Sequence, residues 1–134
     1  MKKLLCLAAA LVSLAGCRGV KRAPVTGNVM LDGKPMKGGV LRFSPNTAKG
    51  NQARVNCTGP VHDGRYELRT SGVLPSETGA GVPPGWYKVV VVSNLPGAPK
   101  VDVNSKYTSE ATTPLEIEVV DNPPPGRYDI QLER

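Results

Sequence analysis

Three stretches of the chain place a tyrosine two residues after a glycine: "GRYELR" from Gly64, "GWYKVVVV" from Gly85 and "GRYDIQLE" from Gly126. A phenol can stack on a sugar, donate to a developing oxyanion, or hydrogen-bond to backbone when its ring is buried. Parity along an extended chain discriminates between these uses, because successive side chains point to opposite faces. Tyr66 shares a face with Leu68, Tyr87 with Val89 and Val91, and Tyr128 with Ile130 and Leu132. All three rings are therefore predicted to point inward. Arg65, Glu67 and Arg69 fall on the other face, as do Trp86 and Lys88. In this reading the glycine permits a sharp turn, the preceding prolines stiffen the approach, and the tyrosine caps one end of a core. The rival use of the same residues is an outward platform that stacks on carbohydrate.

The remaining reactive side chains do not assemble into a catalytic set. His62-Asp63 falls in a turn with no nucleophile beside it in sequence, so it is read as solvated turn and not as acid–base machinery. Ser71, Ser76 and Ser105 lie in loops, outside any G-x-S-x-G setting. One histidine and Cys57 do not make a structural zinc cluster. Asp32 and Asp63, each followed by glycine, suit hairpin turns better than a calcium loop, which needs several spaced oxygen ligands. The expectation is a non-enzyme with no metal and no bound cofactor.

The N-terminus carries a different chemistry. "MKKLLCLAAALVSLAGC" has Lys2 and Lys3, an apolar run from Leu4 to Leu14, then Leu14-Ala15-Gly16-Cys17. The run is too short for the ~20 residues of a membrane-spanning helix and has the length of a secretory signal. Small residues ending in Cys resemble a bacterial lipobox. That resemblance implies cleavage between Gly16 and Cys17, a thioether-linked diacylglycerol on Cys17 and an acyl chain on its freed amine. Two or three chains anchor a protein stably where one does not. Arg18 follows Cys17, so the aspartate that retains some bacterial lipoproteins at the inner membrane is missing, which favours the outer membrane. Lys21 and Arg22 add cations beside the headgroups. The expected divisions are 1–16 signal peptide, 17–24 lipidated tether and 25–134 one β-domain.

Removing Lys2 and Lys3 takes the formal charge from +6 to +4. The remaining charges alternate in sign, and one Trp without aromatic–basic interleaving gives no reason to expect nucleic acid. Of three cysteines, Cys6 leaves with the signal and Cys17 takes the lipid. Cys57, in the alternating "ARVNCT", is then read as a small buried hydrophobe, with a reactive or intermolecular thiol as the other use.

Across the domain, period-two alternation predicts strands in "VTGNVML", "VLRFS", "ARVNCT", "GRYELRT", "LEIEVV" and "RYDIQLE". "WYKVVVVS" reads as a strand buried on both faces. The Asp-Gly pairs at 32–33 and 63–64 predict hairpin turns, and "DNPPPG" is taken to join the last two strands. No window keeps a helical period. About seven short strands with Gly- and Pro-rich turns predict an all-β antiparallel sandwich of two facing sheets. Two loops, 71–85 and 94–114, are long enough to suggest a use. Trp86 and Tyr107 are the stacking candidates there.

"VTGNVMLDGKPMKGGVLRFSP", "DGRYELR" and "VPPGWYKVVV" together resemble a carboxypeptidase-regulatory-like domain of the transthyretin-like group of sandwiches, over roughly Val25 to Glu133. The resemblance also covers the "SKY" at Ser105-Lys106-Tyr107. It implies a non-catalytic seven-stranded sandwich with a structural or protein-interaction role at a bacterial cell envelope. A transthyretin-like hydrolase subgroup uses several histidines and a Tyr-Arg-Gly-Ser-like tail; this chain has one His and ends "DIQLER". The alternative function is an envelope module that binds a polysaccharide or small ligand through the two loops. Partner and oligomeric state are not encoded in these motifs.

Overall fold

The computed structural model describes residues 21–134; the signal segment 1–16, the Gly16–Cys17 cleavage site and the lipidation candidate Cys17 lie outside the described residues. Ten strands follow in order: β1 (Thr26–Leu31), β2 (Lys34–Pro35), β3 (Val40–Pro45), β4 (Asn56–His62), β5 (Arg65–Glu67), β6 (Arg69–Ser71), β7 (Gly79–Ala80), β8 (Gly85–Val92), β9 (Glu116–Val119) and β10 (Ile130–Leu132). Short 3-10 turns cover Thr47–Lys49, Pro75–Glu77 and Ser105–Thr108. No helix among the described residues is long and apolar enough to cross a membrane.

Both Asp-Gly pairs do what their chemistry predicts. Asp32 and Gly33 hold φ of 50° and 77°, and Asp63 and Gly64 hold 47° and 78°. Positive φ at both central residues gives a turn whose twist matches the flanking strands. The first pair folds β2 back on β1 and the second folds β5 back on β4. β4 then alternates without a break between exposed and buried positions, with Cys57, Gly59 and Val61 inward.

Seven of the strands form one hydrogen-bonded path, β10-β1-β5-β4-β3-β8-β9, with β2 branching from β1 and β6 and β7 from β4, rather than two separate sheets. Curling brings the inner faces of its halves together around a core that includes Val29, Leu41, Phe43, Leu68, Tyr87, Val89 and Ile130. Phe43 sits between Tyr66 and Tyr87, with ring centroids 6.3 Å and 6.1 Å apart. The curl answers the same need as two facing sheets, since both put an apolar face against another apolar face.

Three expectations are corrected in detail. β9 and β10 do not form a hairpin: they lie at opposite ends of the path, and β10 runs parallel to β1 with Val29 opposite Ile130. Pro123, Pro124 and Pro125 supply no backbone donors. The chain turns instead through Arg127 N–H to Pro124 C=O and Asp129 N–H to Gly126 C=O, then crosses to the far edge. Secondly, "GRYELRT" divides at Leu68 into β5, which pairs with β1, and β6, which pairs with β7. The register places Pro60 opposite Glu67, where its missing N–H interrupts the ladder, and Leu68 donates to Val25 C=O instead. Thirdly, β8 is covered on its outer face only in part. Val90 is buried there, while Trp86, Lys88 and Val92 are half-buried.

β1 lies close to the turn before β10. A methyl group added at Gly27 would stand 2.5 Å from the Tyr128 carbonyl oxygen and 2.8 Å from its carbon. Those are backbone atoms that yield little. We expect Gly27→Ala to cost about 1–3 kcal/mol, the usual range for overpacking. The check is a lower urea midpoint with an unchanged denaturant slope.

Candidate functional site

All three tyrosines are inside. Tyr66, Tyr87 and Tyr128 are at most 4% exposed, and the glycine two residues before each holds a positive φ. Their hydroxyls are spent on backbone. Tyr66 donates to Tyr128 C=O at 2.6 Å and Tyr87 donates to Pro83 C=O at 2.7 Å. The Tyr128 hydroxyl donates to Val120 C=O at 3.2 Å and accepts from Val120 N–H at 3.1 Å. Tyr128 belongs to the turn before β10 rather than to a strand, yet keeps the inward position that parity assigned it. Burial pushes the Tyr66 phenol far above its ordinary range, with the nearby Asp129 charge adding to the effect. Burial likewise pushes Tyr87 up to about 12. Neither ring is available to stack on a ligand or to act as a proton carrier near neutral pH.

Cys57 is fully buried, with its sulfur 3.5 Å from the Thr70 hydroxyl. Desolvation raises its thiol pKa, which suppresses the thiolate that any nucleophilic use requires. Thr70 in turn donates to Gly81 C=O at 2.6 Å. The cysteine is a packing residue of β4, as its alternation suggests.

The two stacking candidates are not brought together. Tyr107 is 5% exposed and joins the core. The turn that carries it is fixed by the Asn104 side chain, which accepts from Lys106 N–H. Trp86 lies on the outer face of β8, opposite Glu118 of β9. The ammonium of Lys49 sits 3.9 Å from its ring centre and is paired to Glu116 at 2.6 Å. That cation holds the Glu116 carboxyl below its ordinary pKa. The ring face a sugar would use is occupied by a side chain of the protein itself.

Loop 94–114 is tied down as well. Val101 and Tyr107 are buried, Thr113 donates to Val89 C=O at 2.7 Å, and Lys88 reaches Glu110 C=O at 3.3 Å. This segment seals the β8 edge beyond the point where β9 stops pairing. Its length is spent on covering strand edge.

The arrangement best suited to contact another molecule is the outward face that carries Arg65, Glu67 and Arg69. Thr26, Pro60, His62, Arg65, Glu67 and Arg69 line a shallow groove of about 580 Å³ on the outer side of β1, β4, β5 and β6. Arg65, Glu67 and Arg69 stand at alternate residues, so their side chains project about 7 Å apart along one line. Register places His62 and Asn28 on either side of Arg65, Thr58 and Ala80 on either side of Arg69, and Thr26 beside Glu67. Among the described residues, none of these three charged side chains enters an ion pair. Two guanidiniums flanking one carboxylate suit recognition of a carboxylate or phosphate by forked hydrogen bonds. No nucleophile stands with a base there: Asp63 beside His62 pairs with Lys37 at 3.4 Å. Among the described residues no group of three or more His, Cys, Asp or Glu could hold a metal ion. Parity alone marks Arg65, Glu67 and Arg69 as outward, but Thr26 joins them only through the long-range β1–β5 pairing.

The buried phenols set a stability trend. A tyrosine whose folded pKa lies above its unfolded value near 10 contributes stability that is complete below pH 10 and lost as pH rises through the folded value. We expect folding stability to fall steadily between pH 10 and about 12, the latter being the Tyr87 value. Urea melts along that pH series, with phenolate absorbance read in parallel, check the expectation. Phenolate appearing near pH 10 from all four tyrosines of the folded chain would contradict it.

Compared with known protein families, curated proteins and solved structures, the chain matches none.

Proposed function

We propose that the chain is a lipid-anchored, non-catalytic β-domain with a structural or protein-interaction role at a bacterial cell envelope. One observation carries the non-catalytic half. The hydroxyls of Tyr66, Tyr87 and Tyr128 are engaged with backbone and the Cys57 thiol is buried, while Arg65, Glu67 and Arg69 lie outside on a sheet face. The "LAGC" at 14–17 supports the anchor, and Arg18 favours the outer membrane. The curled all-β sheet, with its DGKP turn between β1 and β2, supports the finer reading as a carboxypeptidase-regulatory-like, transthyretin-like sandwich. Within this reading, the face with Arg65 and Arg69 is the contact surface for an envelope protein that presents acidic groups. The ligand-module alternative is less favoured, because Tyr107 is buried and Lys49 covers Trp86.

The anchor is tested by Cys17→Ser in the full chain. We expect the variant to leave the membrane fraction for the soluble one, whereas unchanged membrane retention would refute the anchor. The contact face is tested by a photo-crosslinking residue at Thr58, which is exposed and stands opposite Arg69. We expect a discrete adduct that Arg65→Glu with Arg69→Glu reduces roughly tenfold or more, the scale of losing two desolvated charge pairs. An adduct indifferent to the charge reversal would remove the groove from the account.

A further inference from the structure

The loop between β6 and β7 holds the two most exposed large apolar side chains among the described residues, Val73 at 87% and Leu74 at 57%. They sit side by side at the tip of a turn whose backbone is closed on itself. Gly72 N–H donates to the Thr78 hydroxyl, Leu74 N–H to the Glu77 carboxylate at 2.9 Å, Glu77 N–H to Leu74 C=O at 2.9 Å and Thr78 N–H to Pro75 C=O at 3.1 Å. Unsatisfied backbone groups oppose transfer out of water, and these bonds lower that obstacle by satisfying the N–H groups of Gly72, Leu74, Glu77 and Thr78. The turn therefore presents two aliphatic side chains in a form suited to an apolar phase.

The position of the loop indicates which phase. Arg22 packs against it, donating from Nη1 to Ser76 C=O and from Nε to Ala80 C=O, both at 3.2 Å. Its neighbour Lys21 pairs with Asp121 at 2.7 Å. Only residues 18–20 separate Lys21 from Cys17. Four steps of fully extended chain span about 14 Å, whereas one headgroup layer is roughly 5–8 Å thick. Acyl chains on Cys17 would thus bring Lys21, Arg22 and the turn beside them against the bilayer surface.

We propose that Val73 and Leu74 insert into the interface of the same bilayer that holds Cys17, forming a second membrane contact that sets the orientation of the domain. The inference rests on the anchoring reading of Cys17. Orientation follows from strand direction: β1 and β8 both start near this end, so the Asp32-Gly33 turn and the Lys100 region point away from the membrane. Lys21 pairs with Asp121 and Arg22 is held by the Ser76 and Ala80 carbonyls, so the contact made by Val73 and Leu74 themselves is apolar and insensitive to salt.

The test uses the full chain, processed in cells, purified in detergent and reconstituted into vesicles of phosphatidylethanolamine and phosphatidylglycerol. A polarity-sensitive fluorophore is attached at Val73→Cys, or at Lys100→Cys as the far-end control. Cys57 is buried, and acylation would block Cys17. Mass spectrometry of the N-terminal peptide reads the acylation state of the same sample. We expect blue-shifted emission at position 73, quenched several-fold more by brominated lipid tails than at position 100. High salt should leave that quenching unchanged, and adding Leu74→Asp should abolish it. Acylated Cys17 with water-like emission at 73 overturns the insertion and leaves the anchor standing. A blue shift without bromolipid quenching means that protein covers the turn, and this too overturns the insertion. An unmodified Cys17 overturns both readings.

Discussion

Closure of the curled sheet depends on one residue. Tyr128 lies between the two ends of the strand path, and both its carbonyl and its hydroxyl are engaged. The carbonyl receives the Tyr66 hydroxyl from β5 and packs against Gly27 of β1, while the hydroxyl exchanges two hydrogen bonds with the backbone of Val120 just after β9. An open sheet leaves its terminal strands with unpaired groups. Here the turn after three prolines spans the gap, and Asp129 caps the Asn28 N–H at 2.8 Å, one residue before the β1–β10 ladder begins. With the ends clipped, the inner face is sealed, and Phe43, Leu41 and Val89 lose all contact with water.

That constraint explains what the chain has left over for function. The buried polar groups that close the fold, Tyr66, Tyr87, Tyr128 and the Cys57–Thr70 pair, are also the groups that could otherwise perform chemistry. What remains outside is a sheet face with alternating charge and an end with an apolar turn. In the proposed function both are surfaces for contact. The proposed role as a contact domain rests on this division of labour. Ion pairs such as Lys37–Asp63 and Arg134–Asp32 are exposed and add little to stability by themselves.

The parts of this fold that are legible in the sequence are the local ones. Parity placed the three tyrosines inside, because a two-residue period is written directly into the chain. The Asp-Gly pairs specified their turns, because so few residues accept positive φ at both central positions. The parts that were not legible are long-range. Nothing local to "RYDIQLE" shows that it will lie parallel to β1 instead of antiparallel to β9. The break at Leu68 depends on Pro60 standing across the ladder, which requires the register of β4. Tyr107 looked like a loop residue because its neighbours are polar, and only the upper half of β8, paired with β3 but open on the edge where β9 stops, explains why the "SKY" turn folds inward. The groove shares this origin, since Thr26 and Arg65 are neighbours only once β1 has paired with β5.

The clip at Tyr128 is accessible to a single direct measurement, amide hydrogen exchange at Val120. Its N–H has a side-chain acceptor beyond the end of β9, and an unclosed sheet would leave it open to solvent. The account predicts that Val120 exchanges as slowly as core amides such as Val89, and that Tyr128→Phe restores fast exchange there while β3–β8 amides stay protected under strongly native conditions. Fast exchange at Val120 in the unmodified protein would contradict closure by this tyrosine and the sealed core built on it.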